Sequence, residues 1–118
     1  MRLSVSSHSE GMLGVVVASG EIDLATVALL RQVISDHIAA GQSELLLDLT
    51  DVSFIDSTGL GVLVGAGKKT AGLGGSTRLV CSNPRILRLL KITGLSRAMA
   101  VLPTREAASA HLREQTSA

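Results

Sequence analysis

The segment ELLLDLTDVSFID, residues 44–56, opens on an apolar run with no alternation of polar and apolar residues. A strand of that kind needs cover on both faces, which is the usual condition of a parallel strand in an α/β fold. The flanking sequence supplies the rest of such a fold. Residues 3 to 8 alternate apolar and polar, MLGVVVASG is a β-branched run ended by Gly20, and a turn at Glu10 and Gly11 predicts that the two pair as a hairpin. Asp23 reads as an N-cap, and Val27, Leu30, Ile34 and Ile38 recur at spacings of three and four until Gly41, which predicts an amphipathic helix. A second helix is expected from about Thr58, with Leu60, Leu63 and Val64 on one face, Lys68 and Lys69 late where they suit the helix dipole, and GLGG as its stop. STRLVCS reads as a strand, and Asn83 with Pro84 as the cap and first-turn pair of a short helix through Lys91 that ends near Gly94. Met99 to Leu102 reads as an edge strand. Thr104 to Gln115 reads as a last helix with Ala108 and Leu112 inward, and fraying is expected after about 115. The expected class is α/β: a sandwich with a mixed, mostly parallel sheet of four to five strands and about four helices, opened by an antiparallel hairpin.

A chain of 118 residues, 46% of them hydrophobic, has room for one real core, so residues 1–118 are expected as a single domain. Only 18% of residues are charged and the balance is +1, which is too weak a field to capture nucleic acid, and Phe54, the only aromatic ring, offers no stacking platform. The charges are uneven. Through Ala71 there are eight acids against four bases, and from Gly72 onward seven bases against two acids, a polarity able to steer a charged partner. Arg85, Arg88 and Lys91 form one basic helix edge, which reads as ordinary helix solubility. Cys81 is alone, so no disulfide framework is available, and it is expected as a buried filler in a reducing compartment. MRLSVSSHSE lacks the apolar stretch of a signal peptide, and no segment approaches the roughly 20 apolar residues that span a bilayer, so a soluble cytoplasmic protein with no membrane contact is expected.

The strand at 44–56 runs into the second helix through three consecutive polar residues, Asp56, Ser57 and Thr58. One of them suffices to cap the helix, at a gain of about 1 kcal/mol. Gly59 and Gly61 follow in the first helical turn, where each glycine costs up to about 1 kcal/mol. In an α/β domain, ligands and partners gather where strands end and helices begin. Bare backbone at that point leaves the hydroxyls open to another molecule, which favours a recognition site over capping alone.

Enzyme motifs fail at this junction by specific residues. GLGVLVG has the spacing G-x-G-x-x-x-G, one residue too long for a dinucleotide fingerprint. GLGVLVGAGKKT places five residues, not four, between Gly61 and Gly67, and puts Lys69 where a phosphate-binding loop needs a hydroxyl for magnesium. DSTG resembles an aspartic-protease signature only loosely, and one short domain supplies no second such loop. His8, His37 and His111 fall on separate elements without metal-ligand spacing, and Cys81 has no recognisable base partner. No catalytic residue, metal or cofactor is expected.

Three stretches together resemble the single-domain anti-sigma-factor antagonists of the bacterial STAS family: GEIDLAT at 20–26, LDLTDVSFIDSTGLGVLVGAGK at 47–68, and LVCSNPRILRLLKITGL at 79–95. With their spacing they cover most of the chain to about Leu102, and the central stretch is the specific one. The resemblance implies a STAS domain that is the substrate, not the enzyme, of a phosphorylation cycle. It assigns the modified hydroxyl to Ser57, directly after the acidic Asp56, with Thr58 as a neighbouring hydroxyl position and Asp23 as an acidic position near the site in the fold. It implies a partner that is both anti-sigma factor and serine kinase, bound through Asp23, Asp56, Ser57, Thr58, Gly59, Leu60 and Gly61. A metal-dependent serine phosphatase of the PP2C type would reverse the modification. Two other readings stay open: a STAS subunit of a transport or stress-sensing assembly that binds through the same loop without phosphorylation, and a nucleotide-binding protein that uses the glycine-rich helix start as an anion site.

Overall fold

The structure, a computed structural model, describes residues 2–116. The chain begins with a hairpin of β1 (Leu3–Glu10) and β2 (Leu13–Ile22), antiparallel from Leu3 opposite Gly20 to Glu10 opposite Leu13. Gly11 turns the hairpin at φ 62°, a left-handed conformation that glycine adopts without strain. After it come α1 (Val27–Ala39), β3 (Glu44–Ile55), α2 (Ser57–Gly72), β4 (Ser76–Val80), α3 (Pro84–Ile92), the single turn α4 (Leu95–Ala98), β5 (Ala100–Leu102) and α5 (Arg105–Thr116). The sheet order is β1-β2-β3-β4-β5, and every pair after the first is parallel.

Strands laid down in sequence order, joined by crossovers of one hand, place their connecting helices on one face of the sheet. The core follows that rule. Val16, Ala18 and Ile22 of β2, Leu45, Leu47 and Leu49 of β3, and Leu79 of β4 pack with residues of α1, α2, α3 and α4 in one cluster. Leu30, Leu63 and Leu90 of these helices are fully buried, and each such leucine contributes about 1.5–3 kcal/mol relative to exposure. The opposite face carries a smaller cluster of Val15, Leu46 and Val80 under Ala108 of α5. β3 is therefore covered on both sides, as its unbroken apolar run required.

Several boundaries differ from the sequence expectations for local reasons. The N-cap of α1 is Thr26, which makes no side-chain cap bond, and not Asp23. Asp23 acts one turn earlier: its Oδ1 accepts from the backbone N–H of Ala25 (2.9 Å) and Thr26 (3.0 Å), and its carbonyl accepts from Val27 N–H (2.8 Å). α2 begins at Ser57, one residue before the expected start. Its buried face is Gly59, Val62, Leu63, Ala66 and Thr70, while Leu60 is only partly buried and Val64 is exposed. The turn α4 was not expected from sequence; it follows Gly94, whose φ of 82° reverses the chain after α3. Fraying was expected after about 115; α5 continues to Thr116, and residues 117 and 118 lie outside the described residues.

Candidate functional site

Two loops meet at the ends of β2 and β3. Asp56 N–H donates to the carbonyl of Ile22 (3.1 Å), and Leu24 N–H donates to Asp56 Oδ2 (3.1 Å), so the loop after β2 and the start of α2 form one surface. Asp56 has extended backbone and caps α2: its Oδ1 accepts from the N–H groups of Thr58 (3.0 Å) and Gly59 (3.1 Å). The same oxygen accepts from the Thr58 hydroxyl at 2.5 Å. These donors hold the Asp56 carboxyl below the usual carboxylate range, the Thr58 hydroxyl first and the Gly59 N–H next, against a smaller opposing effect of burial.

The arrangement separates two adjacent hydroxyls. That of Thr58 is committed to Asp56, whereas Ser57 is exposed at the first position of the helix, and no hydrogen bond among the described residues engages its Oγ. A group added to Ser57 Oγ therefore breaks no hydrogen bond among the described residues and lies at the positive end of a helix of 16 residues. Asp23 is in the neighbouring loop, but its Oδ1 is occupied by the Ala25 and Thr26 N–H groups and by the Thr26 hydroxyl (3.2 Å).

The two glycines of the first turn have different reasons. A Cβ at Gly59 would lie 2.6 Å from Ile55 Cγ1 and 2.7 Å from Ile22 Cγ2. At Gly59, then, the bare backbone is required inside the protein, for the close approach of α2 to the ends of β2 and β3, and not to admit an outside molecule. At Gly61 a Cβ would meet nothing within 4 Å, and the residue is exposed. Its cost to the helix has no internal return. Leu60 is partly buried between them, and Leu24, 76% exposed, stands in the adjoining loop.

The structure thus brings Asp56, Ser57, Thr58, Gly59, Leu60 and Gly61 together on the first turn of α2 and places the Asp23 loop against it. Sequence reasoning missed Leu24 as part of this surface, although an apolar residue between Asp23 and Ala25 in a polar turn was a visible signal. Among the described residues no three His, Cys, Asp or Glu side chains converge as a metal site, and no helix is long and apolar enough to cross a membrane. His8 pairs with Glu10 on β1, His37 bonds Gln42 beside α1, and His111 of α5 accepts from Arg78 Nε (3.0 Å). Cys81 is buried, and burial pushes its thiol up.

Comparison with known proteins gives a consistent result. The anti-sigma-B factor antagonist of Bacillus subtilis is 43% identical over 77 residues, which cover 65% of this chain and 70% of that protein. The anti-sigma-B factor antagonist of Staphylococcus aureus is 33% identical over 101 residues, covering 86% and 94%. Among solved structures, an anti-sigma factor antagonist from Mycobacterium paratuberculosis superposes with a TM-score of 0.82 at 30% identity, covering 94% of each chain. The Bacillus cell fate determinant SpoIIAA in its phosphorylated form gives a TM-score of 0.74 at 25% identity over 93% of this chain and 100% of that one. Residues 5–108 match the STAS domain family, and with the five-stranded mixed sheet and the capped strand-to-helix junction described above, the chain belongs to that family.

Proposed function

We propose that this protein is an anti-sigma-factor antagonist whose docking face is the first turn of α2 with the Asp23 loop, and whose affinity is set by phosphorylation of Ser57. The observation that carries the reading is the division of labour at the helix start: Asp56 caps the helix and holds Thr58, while the neighbouring Ser57 hydroxyl stays exposed and unengaged. The names of the similar proteins support the role, and one structural neighbour, SpoIIAA, has the same fold in a phosphorylated form.

In this reading the unmodified surface binds an anti-sigma factor that is also a serine kinase, and the sigma factor is released. Gly61 lets the partner approach the helix closely, and Leu24 supplies exposed apolar area beside it. Phosphate on Ser57 adds about −1.5 to −2 charge next to Asp56. In solvent the helix N-terminus favours that charge, so the fold accepts it. Under a docked partner the same charge is desolvated without compensation, which costs several kcal/mol. The switch therefore acts on the complex and not on the fold. A PP2C-type phosphatase restores the binding form, and the cycle belongs in the cytoplasm. The chain itself performs no catalytic step.

The test is phosphorylation by the cognate kinase with ATP, followed by mass spectrometry. Wild type and Thr58→Ala acquire one phosphate on Ser57, and Ser57→Ala acquires none. Label on the Ser57→Ala protein at the wild-type rate sinks the assignment.

A further inference from the structure

A second surface lies beside α3. The pairing of β2 with β3 shifts register between Gly20 and Glu21, from Gly20 opposite Val52 to Glu21 opposite Phe54, so Ser53 is an extra residue on β3. Such an irregularity re-aims the side chains that follow it. Val52 and Ile55 both point into the core, and Phe54, the chain's only aromatic ring, is turned out and left 49% exposed. It does not stand alone. Phe54 and Ile55 of β3 and Arg85, Ile86, Arg88 and Leu89 of α3 are among the residues that line an open cleft of about 560 Å³. The volume lies within the range of small-molecule sites, and an apolar lining with a few polar groups is their usual composition.

The two arginines give the cleft a sign. They are three residues apart on one helix, so they share a face, and neither guanidinium takes part in an ion pair among the described residues. Two unpaired guanidinium groups beside an apolar wall match a carboxylate head on an apolar body, since arginine presents its donors in a planar fork that fits carboxylates. Sequence alone separated these features: Phe54 stood as an isolated ring and Arg85 and Arg88 as a soluble helix edge. The fold brings them to the lining of one cleft.

We propose that this cleft is a binding site for a small amphipathic carboxylate, its apolar body against Phe54 and Leu89, above the buried Ile55 and Ile86, and its head between Arg85 and Arg88. The inference is independent of the Ser57 switch and stands or falls separately from it. The experiment is an NMR titration of the full chain with 1-naphthoate. Amide shifts are expected to concentrate at residues 53–55 and 85–89, and the uncharged 1-naphthamide is expected to bind at least tenfold more weakly. Phe54→Ala and the double substitution Arg85→Glu/Arg88→Glu are each expected to weaken naphthoate binding at least tenfold while thermal stability stays near wild type, because all three side chains are exposed. Shifts that are absent or centred elsewhere, equal binding of the amide, or unchanged binding in either variant overturns the proposal. So does sedimentation showing a dimer that Phe54→Ala dissociates, which would make a second copy the occupant.

Discussion

Ser57 and Thr58 carry the same functional group one residue apart, and Asp56 decides what each can do. By accepting the Thr58 hydroxyl together with two helix N–H groups, the carboxylate ties one side chain to the fold and leaves the other free for chemistry. These donors favour the ionised form of Asp56, and its pKa is lowered for that reason, first by the Thr58 hydroxyl and then by the Gly59 N–H. A carboxyl depressed in the folded state contributes stability above its unfolded value, near about 4 for aspartate, and that stability is lost as pH falls through the lower folded value. Asp56→Asn keeps an oxygen able to cap but has no proton to gain. Melting curves should therefore show wild type losing stability more steeply than Asp56→Asn from about pH 5 downward. Parallel curves for the two proteins would show that the Asp56 charge does not contribute to the cap.

At the scale of elements, the first turn of α2 carries two glycines whose substitution should have opposite effects. Gly59→Ala drives a methyl group into Ile55 and Ile22 at the strand ends, and overpacking of this kind costs about 1–3 kcal/mol. Gly61→Ala meets open space in a helix, and should stabilise the isolated protein by about 0.4–1 kcal/mol. Chemical denaturation of the two variants measures both signs, and a destabilised Gly61→Ala protein would contradict the geometry. If Gly61 is kept bare for a partner, the same variant binds the anti-sigma factor more weakly although it folds better. The sequence showed both glycines but not this distinction, because glycine inside a helix has the same spacing whether the close approach comes from within the protein or from outside. The register shift at Ser53 was hidden for a similar reason: VSFID alternates well enough to pass as regular strand, and only the core demand of both Val52 and Ile55 forces Phe54 outward.

At the scale of the whole molecule, four helices cover one face of the sheet and α5 holds the other through polar contacts as well as Ala108. Arg78 of β4 is 2% exposed and donates from Nη1 to Glu44 of β3 (2.7 Å) and to the Ser76 hydroxyl (2.9 Å), while its Nε donates to His111 Nδ1 of α5 (3.0 Å). Buried pairs of this kind are costly to break and less costly to replace. Glu44→Ala should destabilise the protein by about 3–5 kcal/mol, and Arg78→Met combined with Glu44→Leu should recover most of that loss. Thermal or chemical unfolding checks the pair, and an unharmed Glu44→Ala protein would show the ion pair to be dispensable. This network was not legible in the sequence, where Arg78 counted only as one of seven bases after Gly72 and nothing marked it for burial. The parallel sheet, the hairpin and the junction were legible, because apolar runs, turn glycines and an Asp-Ser-Thr cluster are local signals, whereas pairing across 34 residues is not. Around this fixed scaffold the proposed regulation is a change of surface charge alone. The measurement that tests it most directly is calorimetric titration of the anti-sigma partner with unmodified and Ser57-phosphorylated protein, alongside the melting temperature of each. The account predicts binding weaker by about 100-fold or more on phosphorylation, the equivalent of several kcal/mol, with the melting temperature unchanged or raised. Equal affinity of the two forms, or a phosphorylated protein that unfolds, would contradict it.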